Sequence, residues 1–101
     1  MAGMAPSPGT DWTKDERTHI GRLETLCRST DHWEMECSFT DAGDPWCVIY
    51  DLQEEHRIVL HIARIDRRYV VVWPPRQRSV NMATMQAAVD KALAELVSRT
   101  N

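Results

Sequence analysis

The sequence predicts an α+β domain in which a four-stranded antiparallel meander is packed on one face by an N-terminal and a C-terminal helix, in the order α-β-β-β-β-α. Three observations predict this fold. Residues 57–73 are crowded with β-branched and aromatic side chains on both sides of a short polar turn at Asp66-Arg67. Residues 32–40 alternate between apolar and polar side chains, and residues 82–97 carry apolar side chains at helical spacing.

A length of 101 residues allows one domain with one hydrophobic core. We therefore expect a single domain over residues 11–101, preceded by a flexible tail over residues 1–10, where small residues, prolines and glycines dominate. A hydrophobic content of 43% with 27% charged residues argues against both a disordered chain and a membrane span. Because the sequence shows no secretory signal and no Cys-x-x-Cys pair, its three cysteines predict free thiols and a cytoplasmic protein.

The two helices are predicted from their ends and their periodicity. A capping box from Thr13 to Glu16 begins the first helix, which should end near Arg28. Its apolar stripe consists of Ile20, Leu23, Leu26 and Cys27. After a linker at residues 76–79, Ser79 or Asn81 is expected to cap a second helix that runs to about residue 98. Its apolar side consists of Met82, Met85, Val89, Ala92, Leu93, Leu96 and Val97.

The first hairpin is predicted to pair residues 32–40 with residues 46–52 across a two-residue turn centred on Ala42-Gly43, where Gly43 can adopt a positive φ. This register opposes Phe39 to Trp46 and places only apolar side chains on the inner face.

The second half of the sheet follows the same alternation. A charged loop at residues 53–56 leads to a third strand at residues 57–65, and aligning Leu52 with Ile58 turns Ile58, Leu60 and Ile62 inward. A two-residue turn at Asp66-Arg67 then turns Tyr69, Val71 and Trp73 inward. Pro74-Pro75 ends the fourth strand, because two amide donors are missing there.

The outer face of the predicted sheet is unusually apolar for a surface exposed to water. It is expected to carry Cys47, Ile49, Val59, His61, Ala63, Val70 and Val72. Since two helices cover one side only, we expect a partner to cover the other side. A second copy of the chain is the favoured partner, and a different protein is the next choice. The predicted function is that of a non-enzymatic protein-interaction domain that forms a homodimer through this face. Coverage of the face by the N-terminal tail or by a curled sheet is the competing interpretation.

Charge is unevenly distributed along the chain. Residues 11–55 hold twelve acidic and four basic residues, whereas residues 57–78 hold six arginines and one aspartate. Strands of opposite charge could neutralise each other within the sheet. Alternatively, an anion-binding surface could form from Arg64, Arg67, Arg68, Arg76 and Arg78. Nucleic-acid or polyanion binding is therefore the alternative function, although a net charge of -3 disfavours it.

The sequence contains no motif that predicts catalysis, a cofactor or a metal site. His61 is a lone histidine without a motif that pairs it with a nucleophile, so an enzymatic alternative requires a pocket shared by His61 and Cys47. The spacing of cysteines and histidines matches no standard zinc arrangement, and the acidic loop at residues 41–44 lacks the pattern of a calcium loop. We therefore expect neither an enzyme nor a bound cofactor.

Overall fold

The computed structural model describes residues 11–100, with side chains through Ser98. The chain forms two helices and one antiparallel sheet, whose five strands lie side by side in chain order. Helix α1 spans Lys14–Arg28 and α2 spans Met85–Thr100. The strands are β1 Trp33–Phe39, β2 Pro45–Asp51, β3 Arg57–Ile65, β4 Arg68–Trp73 and β5 Arg78–Met82. The α+β meander with terminal helices is confirmed, with one strand more than predicted; the tail predicted at residues 1–10 lies outside the described residues.

Both helices contribute to a single core on one side of the sheet, which we call the inner face. Leu23 of α1 and Val89 of α2 are fully buried in the same cluster as Leu60, Val71 and Trp73 of the sheet. Burying a large apolar side chain contributes about 1.5–3 kcal/mol, so this cluster is the main source of stability. Neither helix in the described part of the chain is long and apolar enough to cross a membrane.

The capping box predicted at the start of α1 is present. The Glu16 amide donates to the Thr13 hydroxyl at 3.1 Å, and the Thr13 amide donates to the Glu16 carboxylate at 2.7 Å. These bonds satisfy donors that the first turn of a helix leaves without intrahelical partners. The predicted helix is confirmed, with Ile20, Leu23 and Cys27 buried.

The fifth strand replaces the predicted linker and the predicted start of the second helix. A single 3-10 turn at Pro74–Arg76 and a left-handed Gln77, with φ 50°, reverse the chain into β5. Val80 and Met82 then pack against the core from the inner face. Helix α2 begins only at Met85, and the Thr84 hydroxyl accepts from the Ala87 amide at 3.1 Å. The predicted caps were wrong because residues 78–82 alternate with period two, as a strand does.

The predicted register of the first hairpin was wrong by one residue. Cys37 pairs with Cys47, rather than with Val48, and Phe39 pairs with Pro45. The loop holds three residues, not two, because the Thr40 amide donates to the Asp44 carbonyl at 2.9 Å. The last residue of the loop, Gly43, has a φ of 89°, so the positive φ predicted for it is confirmed. A shift of one residue moves every side chain of β2 to the opposite face of the sheet.

A β-bulge then restores the predicted phase of β3 and β4. The pairing steps from Ile49 opposite Leu60 to Tyr50 opposite Ile58, which leaves Val59 without a partner in the ladder. Val59 is 1% exposed and belongs to the core. Beyond the bulge, the inward positions of Leu60, Ile62, Tyr69, Val71 and Trp73 are as predicted. The inward position predicted for Ile58 was wrong, because Ile58 lies before the bulge and pairs with Tyr50 on the other face.

The turn predicted between β3 and β4 is also confirmed. Ile65 pairs with Arg68, and the two residues between them, Asp66 and Arg67, have φ values of 53° and 65°. Positive φ at both central positions matches the right-handed twist of the flanking strands.

Two of the three cysteines are bonded to each other, so the expectation of three free thiols was wrong. Cys37 and Cys47 form a disulfide between β1 and β2, with Cα atoms 4.1 Å apart. Cys27 remains a free, buried thiol. Burial, with a smaller contribution from Glu24, raises its pKa to about 11, so this thiol is protonated and unreactive at neutral pH.

Candidate functional site

The candidate site is the side of the sheet opposite the helices, which we call the open face. Pairing across the strands defines its rows: Val48, His61 and Val72 form one row, and Trp46, Ala63 and Val70 form the next. Tyr50 pairs with Ile58 at one end, and Ile65 pairs with Arg68 at the other. The centre of this face, formed by β2, β3 and β4, is therefore almost entirely apolar.

Aromatic rings shape the centre of the open face. The rings of Trp46 and His61 lie 5.8 Å apart at an angle of 41°. Their strand neighbours Val48 and Ala63 are only 4% and 1% exposed, although the core of the domain lies on the other side of the sheet.

His61 is neutral at physiological pH. Its partial burial lowers its pKa below the ordinary value of 6.5. Desolvation disfavours the charged imidazolium, and burial under a partner would disfavour it further.

The outer rows of the open face are polar. Strand β1 contributes Glu34, Glu36 and Ser38, all exposed, and β5 contributes Ser79 and Asn81. The Arg68 guanidinium donates to the Asn81 side chain at 2.6 Å. An apolar centre with a polar margin is the usual composition of a surface that binds another protein.

Four of the seven residues predicted for the interaction surface lie on the open face: His61, Ala63, Val70 and Val72. The placement of Cys47, Ile49 and Val59 was wrong, since each is 1% exposed in the core. The register shift moved the first two, and the bulge moved the third. Sequence reasoning missed Trp46, Val48 and Tyr50 for the same reason; a three-residue loop, or the pairing of Cys37 with Cys47, would have assigned them.

The pocket required for an enzymatic role does not form between His61 and Cys47. His61 lies on the open face, whereas Cys47 lies in the core and is bonded to Cys37. The two side chains therefore point to opposite sides of the sheet. In the region covered by residues 11–98, no group of three or more histidine, cysteine or acidic side chains is placed to hold a metal ion.

The predicted arginine cluster is divided by the fold. Arg67 and Arg68 lie at the N-terminal end of β4, whereas Arg76 and Arg78 lie beyond its last residue. Both arginines of the second pair contact Glu95, at 3.0 and 3.5 Å. The surface predicted for polyanions is therefore not continuous, and part of its charge is already neutralised.

Arg64 was assigned wrongly to that surface, because it is 1% exposed. Its Nη1 lies 2.5 Å from Oε1 of Glu16, which is itself 2% exposed. The Tyr69 hydroxyl donates to Oε2 of the same carboxylate at 2.5 Å, and the guanidinium lies 5.7 Å from the centre of the Trp12 ring. Burial and the bond to Glu16 raise the pKa of Tyr69. This buried network attaches the first turn of α1 to β3 and β4.

Comparisons with models of known protein families, with curated proteins and with solved structures found no match to this chain.

Proposed function

We propose that this protein is a small, non-enzymatic protein-interaction domain that forms a homodimer through the open face of its sheet. One observation carries the proposal: the centre of a three-strand surface is apolar on the side that the two helices leave uncovered. Residues on the solvated side of an antiparallel sheet are ordinarily polar. Here Trp46, Val48, Val70 and Val72 stand where polar residues would be expected.

The dimensions of the open face suit the centre of an interface. Three strands about 4.8 Å apart and about seven residues long cover roughly 300 Å² before side-chain relief is counted. Contiguous apolar patches on monomers reach about 300–600 Å², and the large ones are often functional. The polar rows on β1 and β5 extend the surface toward the ~800 Å² that each partner buries in a standard interface.

A second copy is the partner that the surface favours, since two-fold pairing is the commonest closed assembly. Aromatic side chains such as Trp46 and Tyr50 are typical of interface centres. No catalytic step is assigned, because His61 has no nucleophile beside it among the described residues. Polyanion binding has less support, because the arginines proposed for it are separated or paired.

The proposal is tested by the mass of the protein in solution. Wild-type protein should sediment as a dimer at micromolar concentration, and Val72→Asp should convert it to a monomer with an unchanged circular dichroism spectrum. Gln86→Asp, an equal change of charge on the exposed side of α2, should leave the dimer intact. A wild-type monomer at every concentration tested would contradict the proposal. Ile49→Asp is not a useful variant, because Ile49 lies in the core.

We propose the cytoplasm as the compartment, where a disulfide such as Cys37–Cys47 would be kept reduced most of the time. Alkylation of thiols in intact cells, followed by mass spectrometry, tests this. Cys37 and Cys47 should both be recovered alkylated; recovery as a disulfide would contradict the assignment.

A further inference from the structure

Among the described strands, β1 has a neighbour on one side only, so a row of its backbone groups points away from the sheet. At its two ends, the Leu52 amide donates to the His32 carbonyl at 2.7 Å and the Thr40 amide donates to the Asp44 carbonyl at 2.9 Å. Residues that bond to the neighbouring strand alternate along an antiparallel strand, so the even-numbered residues of β1 bond to β2. The backbone N–H and C=O groups that point away from β2 are therefore those of Trp33, Met35, Cys37 and Phe39. Such a row can pair with another extended chain.

The side chains beside these backbone groups line a groove. A cavity of about 420 Å³ lies between α1 and β1. It is lined by Glu24, Cys27, Arg28, Trp33, Glu34 and Met35. A second cavity of about 680 Å³ shares Trp33 with it, and Phe39 is 51% exposed at the far end of the strand. A strand added at this edge would direct alternate side chains toward this groove, where Trp33 and Met35 offer apolar contacts.

The same edge carries a concentrated negative charge. Residues 29–56 contain no lysine or arginine and eight acidic residues, Asp31, Glu34, Glu36, Asp41, Asp44, Asp51, Glu54 and Glu55. The ion pairs between described residues do not include Glu34 or Glu36, the two acidic residues of β1. Arg64, Arg76 and Arg78, three of the arginines that could neutralise this segment, contact Glu16 and Glu95 instead. Glu34 and Glu36 are exposed on β1, and Glu34 also borders the cavity.

The negative charge of this edge determines which kind of chain can bind there. Two β1 edges brought together would oppose the carboxylates of one copy to those of the other, which is unfavourable. The first ten residues of the chain hold no lysine or arginine and do not complement the charge either. A segment in which basic residues alternate with apolar ones complements both sides of β1 at once: the basic side chains face Glu34 and Glu36, and the apolar ones face Met35 and the groove.

We propose that the β1 edge binds an extended segment of another protein, in which apolar residues alternate with lysine or arginine, as an added strand of the sheet. Pairing with β2 along the whole length of β1 holds these backbone groups in place. Preorganisation of this kind reduces the ordering required on binding. The site adjoins the open face and shares Glu34 and Glu36 with the outer row of that face.

Binding of a defined peptide tests the proposal. The probe is a nine-residue peptide, blocked at both ends, that alternates valine and arginine; the control peptide alternates valine and glutamate. Calorimetry should detect the basic peptide and not the acidic one, with affinity falling at least tenfold between 50 and 500 mM salt, as expected of exposed charges. Hydrogen exchange should slow at the Met35 and Cys37 amides, which point to the open edge, and stay unchanged in β5.

Variants separate pairing at the edge from general attraction. Glu34→Lys should weaken binding about tenfold, whereas Asp15→Lys, an equal charge reversal on the exposed side of α1, should change it less than twofold. Met35→Pro removes one amide that points away from β2 and leaves the hydrogen bonds between β1 and β2. This variant should abolish binding of the basic peptide. Binding without slower exchange in β1, or equal effects of the two lysine variants, would overturn the proposal. The proposal would also be overturned if the basic peptide failed to bind and Glu34→Lys associated with itself, because the carboxylates would then serve only to keep copies apart.

Discussion

Replacing Arg64 by methionine (Arg64→Met) should leave the Glu16 carboxylate in the core without its charged partner. The two side chains are 1% and 2% exposed, and their charged atoms lie 2.5 Å apart, so water cannot replace the guanidinium. Breaking a buried ion pair from one side costs about 3–5 kcal/mol. Because the Thr13 amide and the Tyr69 hydroxyl still donate to the carboxylate, we expect a loss near the lower limit, about 3 kcal/mol. A domain of this length is stable by about 5–15 kcal/mol, so the loss is a large fraction of the total.

Urea unfolding at pH 7, followed by tryptophan fluorescence and circular dichroism, measures this loss. Glu16→Gln combined with Arg64→Met should cost less than the sum of the two single changes, by at least ~1 kcal/mol, since the pair leaves no buried charge. Arg17→Met is the control: the Arg17–Asp11 pair is exposed, so its loss should cost at most about 1 kcal/mol. A loss below about 1 kcal/mol for Arg64→Met, or strict additivity in the double variant, would refute the assigned role of the network.

The remaining predictions concern the turns, the disulfide and the open face. Tyr69→Phe should lower the free energy of unfolding by about 1.5–3 kcal/mol in the same assay, because it removes a hydrogen bond to a buried carboxylate. Reduction of the Cys37–Cys47 bond, which closes a separation of 10 residues, should lower it by about 2–3 kcal/mol, measured with and without reductant. Arg67→Gly should raise it by about 0.5–1 kcal/mol, since the native φ of 65° strains any residue with a Cβ; an unchanged midpoint would argue against that geometry. Finally, burial lowers the pKa of His61, so the part of the folding stability that depends on a neutral His61 is fully present above about pH 6.5. That part is lost as the pH falls through the folded-state pKa of His61. His61→Gln should flatten that part of a stability profile measured from pH 5 to 8.

The correct and incorrect parts of the candidate site have identifiable causes. Val70 and Val72 were assigned to the open face correctly, because the turn at Asp66-Arg67 fixes the phase of β4 against β3. Ile49 was assigned wrongly, because a loop of three residues rather than two reverses the phase of β2. Val59 was assigned wrongly because a bulge has no marker in a pattern of alternating side chains. Each error came from one residue of register.

The sequence by itself determined the local elements of this protein: the capping box that begins α1, the alternation that marks β1 and the two-residue turn between β3 and β4. These features depend on contacts within a few residues and on the period of the backbone, so a local pattern is sufficient to predict them. Only the tertiary structure decided that Arg64 pairs with Glu16 in the core, that Cys37 meets Cys47, and that Arg76 and Arg78 contact Glu95. Those outcomes depend on which distant residues the strand register brings together, and a change of one residue in a loop is enough to alter them.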